Sequence, residues 1–469
     1  MASTTVKRYI AIDLGQESGR VVLATVTDGR PEFETVHTFP MHQTRMAGKT
    51  FWNIYSILDE VLRGLSVIGA RRIQIESVGV NSWTSDFVYV ARDGSFIGLP
   101  RCGREPLAPS VREKFFKKMS AGDYYRTTAS QIQDSCTAFQ LFAQHREKSI
   151  GLENARSILF ISDALVYLLT GKKLCERTQL SASGLMNLSK GKVAKDVLKI
   201  CHLKPKRIHS AVSTGAKVAR LTDEVSAVTG LDKINVVAVA GNSVASAVHA
   251  LPLEEEGSAY LYVGPDAFMG IETAAPLVND RVFELNISND CSAGGKFLVY
   301  KHLPGMEIMN SCLGKWRREK KDYSAEDVQG MLASSQPASA MLDLCDPALL
   351  LQKDMPSAIA KYCSSNEMAV PADDAAVMRL VYESFAEKCG DFFRKLQGIS
   401  PFKIRSVYVF GPYAGDAFLN QLIAGECAVP VISVAGDVAA CGNAAIQAGL
   451  SRQAMSKVFE CQTYQPKTA

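Results

Sequence analysis

The chain has 469 residues, 47% hydrophobic and 21% charged, enough to bury a sizeable core over two or three domains. Lys and Arg number 52 against 48 Asp and Glu, a net charge of +4, and that balance argues against nucleic acid or an anionic membrane as partner. Met1 to Arg8 holds no apolar leader, no run of eighteen apolar residues follows, and the twelve cysteines include no Cys-x-x-Cys pair; the expectation is a cytoplasmic protein with reduced thiols and no zinc site.

In chain order, Lys7 to Gly15, Arg20 to Thr27 and Glu32 to Phe39 read as consecutive strands, the last two joined by the turn Asp28-Gly29-Arg30. Ile54, Ile57, Leu58, Val61, Leu62 and Leu65 recur at helical spacing. Ile73 to Val80 and Phe87 to Ala91 are further strands. The second half repeats the pattern with little residue identity. Val236 to Ala240 is a strand, and Tyr260 to Gly264 with Phe268 to Glu272 make a hairpin. A long helix covers Asp374 to Gln397, with Val377, Leu380, Val381, Phe385, Cys389 and Phe392 on one face. Val407 to Phe410 and Val431 to Val434 are strands, and Ala439 to Ala448 is a small-residue helix. Two α/β halves, each opened by a hairpin, predict two domains around a cleft. The charge run Lys315 to Lys321 reads as a solvated helix face, and Cys345 and Cys363 as free thiols rather than a disulfide.

The link Asp13-Leu14-Gly15-Gln16-Glu17-Ser18-Gly19-Arg20 could bind an anion. Gly15 and Gly19 let backbone N–H groups approach it, Ser18 offers a hydroxyl and Arg20 a fixed charge. Asp13 could hold magnesium through water, or cap its own turn. No Walker loop and no G-x-G-x-x-G occur.

The opening Asp-Leu-Gly-x-x-Ser-Gly-Arg resembles the phosphate loop of the FGGY carbohydrate kinases, and within them is most similar to the rhamnulokinase group. Further likenesses run in the same order. Ser82-Trp83-Thr84-Ser85-Asp86-Phe87 is similar to that group's sugar loop, followed by Gly98-Leu99-Pro100 and Arg104. Asp163 with Leu169-Thr170-Gly171-Lys172, then Ala245 to Val248 and Leu419 to Leu422, match later motifs. The resemblance covers roughly residues 7 to 450. It implies an α/β fold of two duplicated actin/hexokinase-like (ribonuclease H-like) domains around a central cleft. The divisions expected are 1–246, carrying the sugar side and phosphate loop, 247–455, carrying the nucleotide side, and a tail at 456–469. It also implies ATP and magnesium as cofactors and a small sugar as ligand. On its positions Trp83, Thr84, Asp86, Arg104, Asn242, Val244 and His302 would meet the sugar. Gly15, Gln16, Glu17, Ser18, Gly19, Arg20, Gly264, Pro265, Asn310 and Gly411 would meet the nucleotide, and Asp13 the metal. From the residues alone, Trp83 is as readily core, and Asp86 and Arg104 as readily an ion pair or a loop bond.

The departures fall on the working positions. Where the family has His-Asp-Thr the chain has Asn242-Ser243-Val244, so Ser243 occupies the position of the catalytic base. Glu17 brings negative charge to the phosphate loop. The family's Gly-Thr-Trp is Gly264-Pro265-Asp266, and proline donates no N–H. Three glycines on the adenine side are Gly411-Pro412-Tyr413. The expectation is therefore a pseudokinase with weak or lost ATP and magnesium binding, acting in sugar binding, regulation or scaffolding with a protein partner. The alternative is an active ketose kinase with a rebuilt site, its carboxylate drawn from Asp266 or Glu105.

Overall fold

A computed structural model describes residues 5–350 and 352–466. The start of the Met1–Arg8 stretch and the end of the 456–469 stretch lie outside them. The chain divides into two compact units, and neither is continuous in sequence. The first comprises Met1–Pro252, Glu272–Val299 and Asp437–Val458; the second comprises Leu253–Ile271, Tyr300–Gly436 and Phe459–Ala469. A single division at 246/247 is thus replaced by interleaved segments.

The first unit is built on a six-stranded sheet. Its strands are β1 (Val6–Leu14), β2 (Ser18–Thr27), β3 (Arg30–Pro40), β4 (Ser77–Ser82), β5 (Ala216–Arg220) and β6 (Asn235–Ala238), in spatial order β5-β6-β4-β1-β2-β3. β1 is antiparallel to β2 and parallel to β4, and β4 is parallel to β6. Alternation along β1 sorts its side chains. Ile10, Ile12 and Leu14 enter a core with Ile54, Ile57, Val61 and Leu65 of the Ile54–Gly69 helix, the apolar stripe expected from the spacing. Tyr9 and Ala11 face the other way, onto Ala440 and Ala444 of the Val438–Ala448 helix. That helix is tightly seated: a Cβ on Gly442 would fall 1.8 Å from the carbonyl oxygen of Ser246, in the neighbouring Ser243–Ala250 helix. The strand expected over Ile73 to Val80 begins only at Ser77.

The second sheet contains β7 (Ser258–Val263), β8 (Asp266–Thr273), β9 (Ser288–Cys291), β10 (Phe297–Pro304), β11 (Ser406–Phe410), β12 (Val431–Val434) and β13 (Cys461–Tyr464), in order β9-β10-β8-β7-β11-β12-β13. β7 pairs antiparallel with β8 and parallel with β11, the same hairpin-then-parallel scheme as β2, β1 and β4. The Asp374–Gln397 helix forms as read, with all six expected apolar residues buried. The 456–469 stretch is more than a tail, because β13 pairs with β12. All twelve cysteines are free, with Cys345 exposed and Cys363 buried. Lys315 and Lys320 lie at the end of, and just beyond, the Glu307–Arg318 helix, whose Trp316 is buried. Among the described residues no helix is long and apolar enough to cross a membrane.

Candidate functional site

Register assembles the polar cluster of the first unit. Arg20 on β2, Asp13 on β1 and Asn81 on β4 are successive partners across three strands, so their side chains share one face. A bridge between Ser82 and Asn242 then brings in the start of the Ser243–Ala250 helix. Asn81 Nδ2 donates to Asp13 Oδ1 and to Ser243 Oγ, the latter at 2.9 Å. The hydroxyl of Ser243 lies 3.5 Å from Asp13 Oδ1. Behind them Asn443 Nδ2 donates to Asn81 Oδ1 at 2.8 Å, and Gln447 donates to Asn443 and to the carbonyl of Ile10. Arg20 Nε reaches Asp437 at 3.0 Å, and its Nη1 is 3.8 Å from Asp13 Oδ2. Burial raises the Asp13 carboxyl to about 6, against the lowering pull of Arg20 and of the Asn81 bond. Asn81, Asp437 and Gln447 complete this cluster and are not marked by the motifs. The signal available for Asn81 is an amide closing an otherwise apolar strand.

A buried carboxylate holds the loop that carries Ser243. Glu176 Oε2 accepts the amides of Thr178, Gln179 and Gly241 and the hydroxyl of Thr178, while Oε1 accepts Thr214. Gln179 Nε2 donates to the carbonyl of Gly241 at 2.7 Å and to Ser82 Oγ at 3.0 Å. The amide of Glu176 donates to Asp163. Burial first, then the neighbouring Glu176, pushes the Asp163 carboxyl well above the usual range; Glu176 itself is raised by burial. Asn242 caps its helix by accepting from the amide of Val244, and its Nδ2 is a buried donor with no partner among the described residues.

The loop expected to meet sugar is also closely held. Asp86 accepts the indole N–H groups of Trp52 at 2.6 Å and Trp83 at 2.9 Å, and the amide of Gly103 at 2.9 Å. It is fully buried, and desolvation raises its carboxyl despite these donors. The two indoles pack with ring centroids 4.4 Å apart, so Trp83 has the core role left open above and Asp86 a bonded role within the loop. Ser85 sits between them at φ 80°, its carbonyl accepting from Thr137. Thr84 and Val244 are half-buried and Arg104 is exposed.

Two expected phosphate-loop glycines have local explanations. Gly15 N–H already donates to the carbonyl of Ser18 at 2.9 Å, and a Cβ on Gly19 would lie 2.3 Å from the ring of Phe39. Gln16 and Ser18 are half-buried, and Glu17 is exposed. Glu105, a candidate replacement base, accepts the amide of Thr50 at 2.8 Å.

Of the second unit's candidates, Gly264 and Gly411 follow the ends of β7 and β11, His302 lies on β10 and Asn310 in the Glu307–Arg318 helix. Tyr262 on β7 stacks on Phe268 of β8, with centroids 4.6 Å apart and planes 6° from parallel, and meets Phe410 of β11 edge-on. Tyr300 and His302 of β10 continue this row of rings. His302 thus lies in an aromatic row, and burial lowers its imidazole. A Cβ on Gly264 would lie 2.6 Å from the Tyr262 hydroxyl, and one on Gly411 (φ 102°) 2.7 Å from its ring. Asp266 is exposed on the hairpin turn. The hydroxyl of Tyr413 donates to Asn310 Oδ1 at 2.6 Å.

These geometries can be set against known proteins. Residues 8–249 match the model of the FGGY family of carbohydrate kinases, N-terminal domain. The rhamnulokinase of Bacteroides thetaiotaomicron is 31% identical over 98% of this chain and 96% of its own length; that of Ligilactobacillus salivarius is 27% identical over the same shares. Among solved structures, a xylulose kinase from Rhodospirillum rubrum superposes with a TM-score of 0.79 at 14% identity, covering 98% of this chain and 94% of that one. Plasmodium falciparum glycerol kinase with ADP gives 0.79 at 12% identity, covering 99% and 95%. The fold is that of the actin/hexokinase-like sugar kinases. The chain belongs to the FGGY family of carbohydrate kinases, and within it is rhamnulokinase-like.

Proposed function

We infer that this chain is a pseudokinase: a rhamnulokinase-like protein that keeps a sugar-recognition scaffold and has lost phosphoryl transfer to a ketose. One observation carries the reading. The position of the family's base is Ser243, a neutral hydroxyl bonded to Asn81 and set beside Asp13. A serine can hydrogen-bond a sugar hydroxyl but does not accept its proton at neutral pH. Asp13 faces Arg20 and is already bonded by Asn81. The groups present also do not fit the family's nucleotide: Pro265 has no N–H, and the ring of Tyr262 lies against both Gly264 and Gly411. The loop around Asn242 supports retained binding of a polyhydroxyl ligand, since its Nδ2 is a buried donor awaiting an acceptor. Sugar sensing or presentation to a protein partner is the role this leaves.

The test is a turnover assay with ATP–magnesium and a panel of ketoses including rhamnulose, beside calorimetric titration of each sugar. No turnover above a heat-killed control is expected, with measurable binding of at least one sugar. Wild-type turnover on any ketose would overturn the reading. Ser243→Asp alone is expected to stay inactive. The informative variant adds Glu17→Ser, Pro265→Thr, Pro412→Gly and Tyr413→Gly.

A second reading is an active ketose kinase with a rebuilt site. The full-length similarity to rhamnulokinases favours it. It requires turnover that disappears on replacing Asp13, Asp266 or Glu105.

A further inference from the structure

We propose that the second unit closes its own nucleotide face, with Tyr413 as a latch and Tyr262 as the filler beneath it. This deepens the pseudokinase reading and rests on it for the assignment of that face. The observation is a set of bonds among three segments that are distant in sequence. The Gly264-Pro265 turn, the start of the Glu307–Arg318 helix and the 411–413 loop are each joined to at least one of the others. Met306 N–H donates to the carbonyl of Gly264 at 2.8 Å, and Glu307 N–H to that of Pro265 at 3.2 Å. Tyr413 N–H donates to the carbonyl of Val263 at 3.2 Å. Across the far side, Tyr413 O–H donates to Asn310 Oδ1 at 2.6 Å, bridging loop to helix.

Beneath these bonds the space is occupied. Tyr262 lies between the two glycine loops, within 2.6 Å of a Cβ built on Gly264 and 2.7 Å of one on Gly411. Those glycines are thus required by a tyrosine of the same chain. Gly305 is fixed similarly, since a Cβ there would fall 2.2 Å from the carbonyl oxygen of Pro265. The loop beyond is braced as well. Tyr382 O–H donates to Asp416 Oδ2 at 2.8 Å, and Asp416 caps the Ala417–Cys427 helix through the amide of Leu419. A ligand entering this face would have to break the latch and displace the ring. Its apparent affinity falls by the fraction of molecules that are open.

The experiment titrates full-length protein with ATP–magnesium by calorimetry, comparing wild type with Tyr413→Phe, Asn310→Ala, Tyr413→Gly and the pair Tyr262→Ser with Tyr413→Gly. Tyr413→Phe keeps the ring and removes only the hydroxyl, so folding is least disturbed. Its expected gain in affinity is about fivefold, that of one neutral hydrogen bond. The paired variant is expected to gain at least about tenfold. Hydrogen exchange at the amides of Glu307 and Tyr413 is expected to quicken in Tyr413→Phe and Asn310→Ala. Micromolar binding by the wild type, or unchanged affinity and exchange in Tyr413→Phe and Asn310→Ala, overturns the latch. The two proposals fail separately. A wild type that binds ATP without turning over any ketose sinks the latch and leaves the Ser243 reading standing. An opened variant that binds ATP and turns over a ketose with Ser243 intact supports the latch and sinks Ser243 as the cause of the lost activity.

Discussion

The cluster around Asp13 and the strand ends around Gly264 are built in different ways. At Asp13 a polar cluster sits inside a hydrogen-bonded frame. Ser243 is small, is bonded by Asn81, and sits on a loop that Glu176 and Gln179 hold in place. At Gly264 packing and shape dominate. Rings and a proline occupy volume, and the loops are bonded to one another. In a buried hydrogen-bonded frame each group depends on its partners, so losing one member leaves others unsatisfied. Close-packed rings do not reopen by a single polar substitution. The first region is thus sensitive to the loss of a single bond, and the second to a change of volume.

Removing the frame of the first region should have the largest effect. Glu176→Ala strands the amides of Thr178, Gln179 and Gly241 in a buried setting, with an expected loss of about 3–5 kcal/mol. Urea unfolding followed by circular dichroism would measure it; a loss within about 0.5 kcal/mol would mean that the loop does not depend on Glu176. The Asp13 carboxyl gives the next effect. Its folded value of about 6 exceeds its ordinary 3.8, so between these values the folded state holds a proton that the unfolded chain has released. Its contribution is fully present below about pH 4 and is lost as pH rises through about 6, a change of about 3 kcal/mol. In metal-free buffer, the stability difference between wild type and Asp13→Asn should therefore slope downward over that window. A flat difference would place Asp13 in a more solvated setting. Gly19→Ala should then lose about 1–3 kcal/mol through collision with Phe39. The loss should shrink in a Phe39→Leu background, which a purely phosphate-binding glycine would not show. The smallest effect belongs to the second region. Tyr382→Phe removes one bond to Asp416, about 1 kcal/mol, and thermal melting would resolve it.

Apolar runs and helical spacing make most of the fold legible: β1 is largely apolar and buried on both faces from Tyr9 to Leu14, and the Asp374–Gln397 helix buries its regularly spaced apolar residues. Motif order makes the family legible. The frame of the site is not legible. Asn81, Glu176 and Gln447 each meet a partner 65 or more residues away, and no local pattern marks a residue that matters through strand register. In sequence Asp86 suggests a ligand or a surface group, yet two indoles and an amide hold it, because Trp52 lies 34 residues away and gives no spacing signal. The glycines at 19, 264 and 411 suggest phosphate and nucleotide. A glycine in sequence does not reveal whether a ligand or a neighbouring ring takes the room that its missing side chain leaves. Interleaving is hidden for a related reason: the Val438–Ala448 helix reads locally as an ordinary small-residue helix.

That helix also sets the order in which the molecule can be made. It covers Tyr9 and Ala11 and supplies Gln447 to the carbonyl of Ile10, so β1 awaits a partner that leaves the ribosome more than four hundred residues later. Through most of its synthesis the nascent chain carries a bare apolar face on its first sheet, the condition in which chaperones are recruited and premature release leads to aggregation. A chain terminated at Gly436 should therefore bind a hydrophobic dye and precipitate, and adding the 437–458 segment as a separate peptide should suppress both.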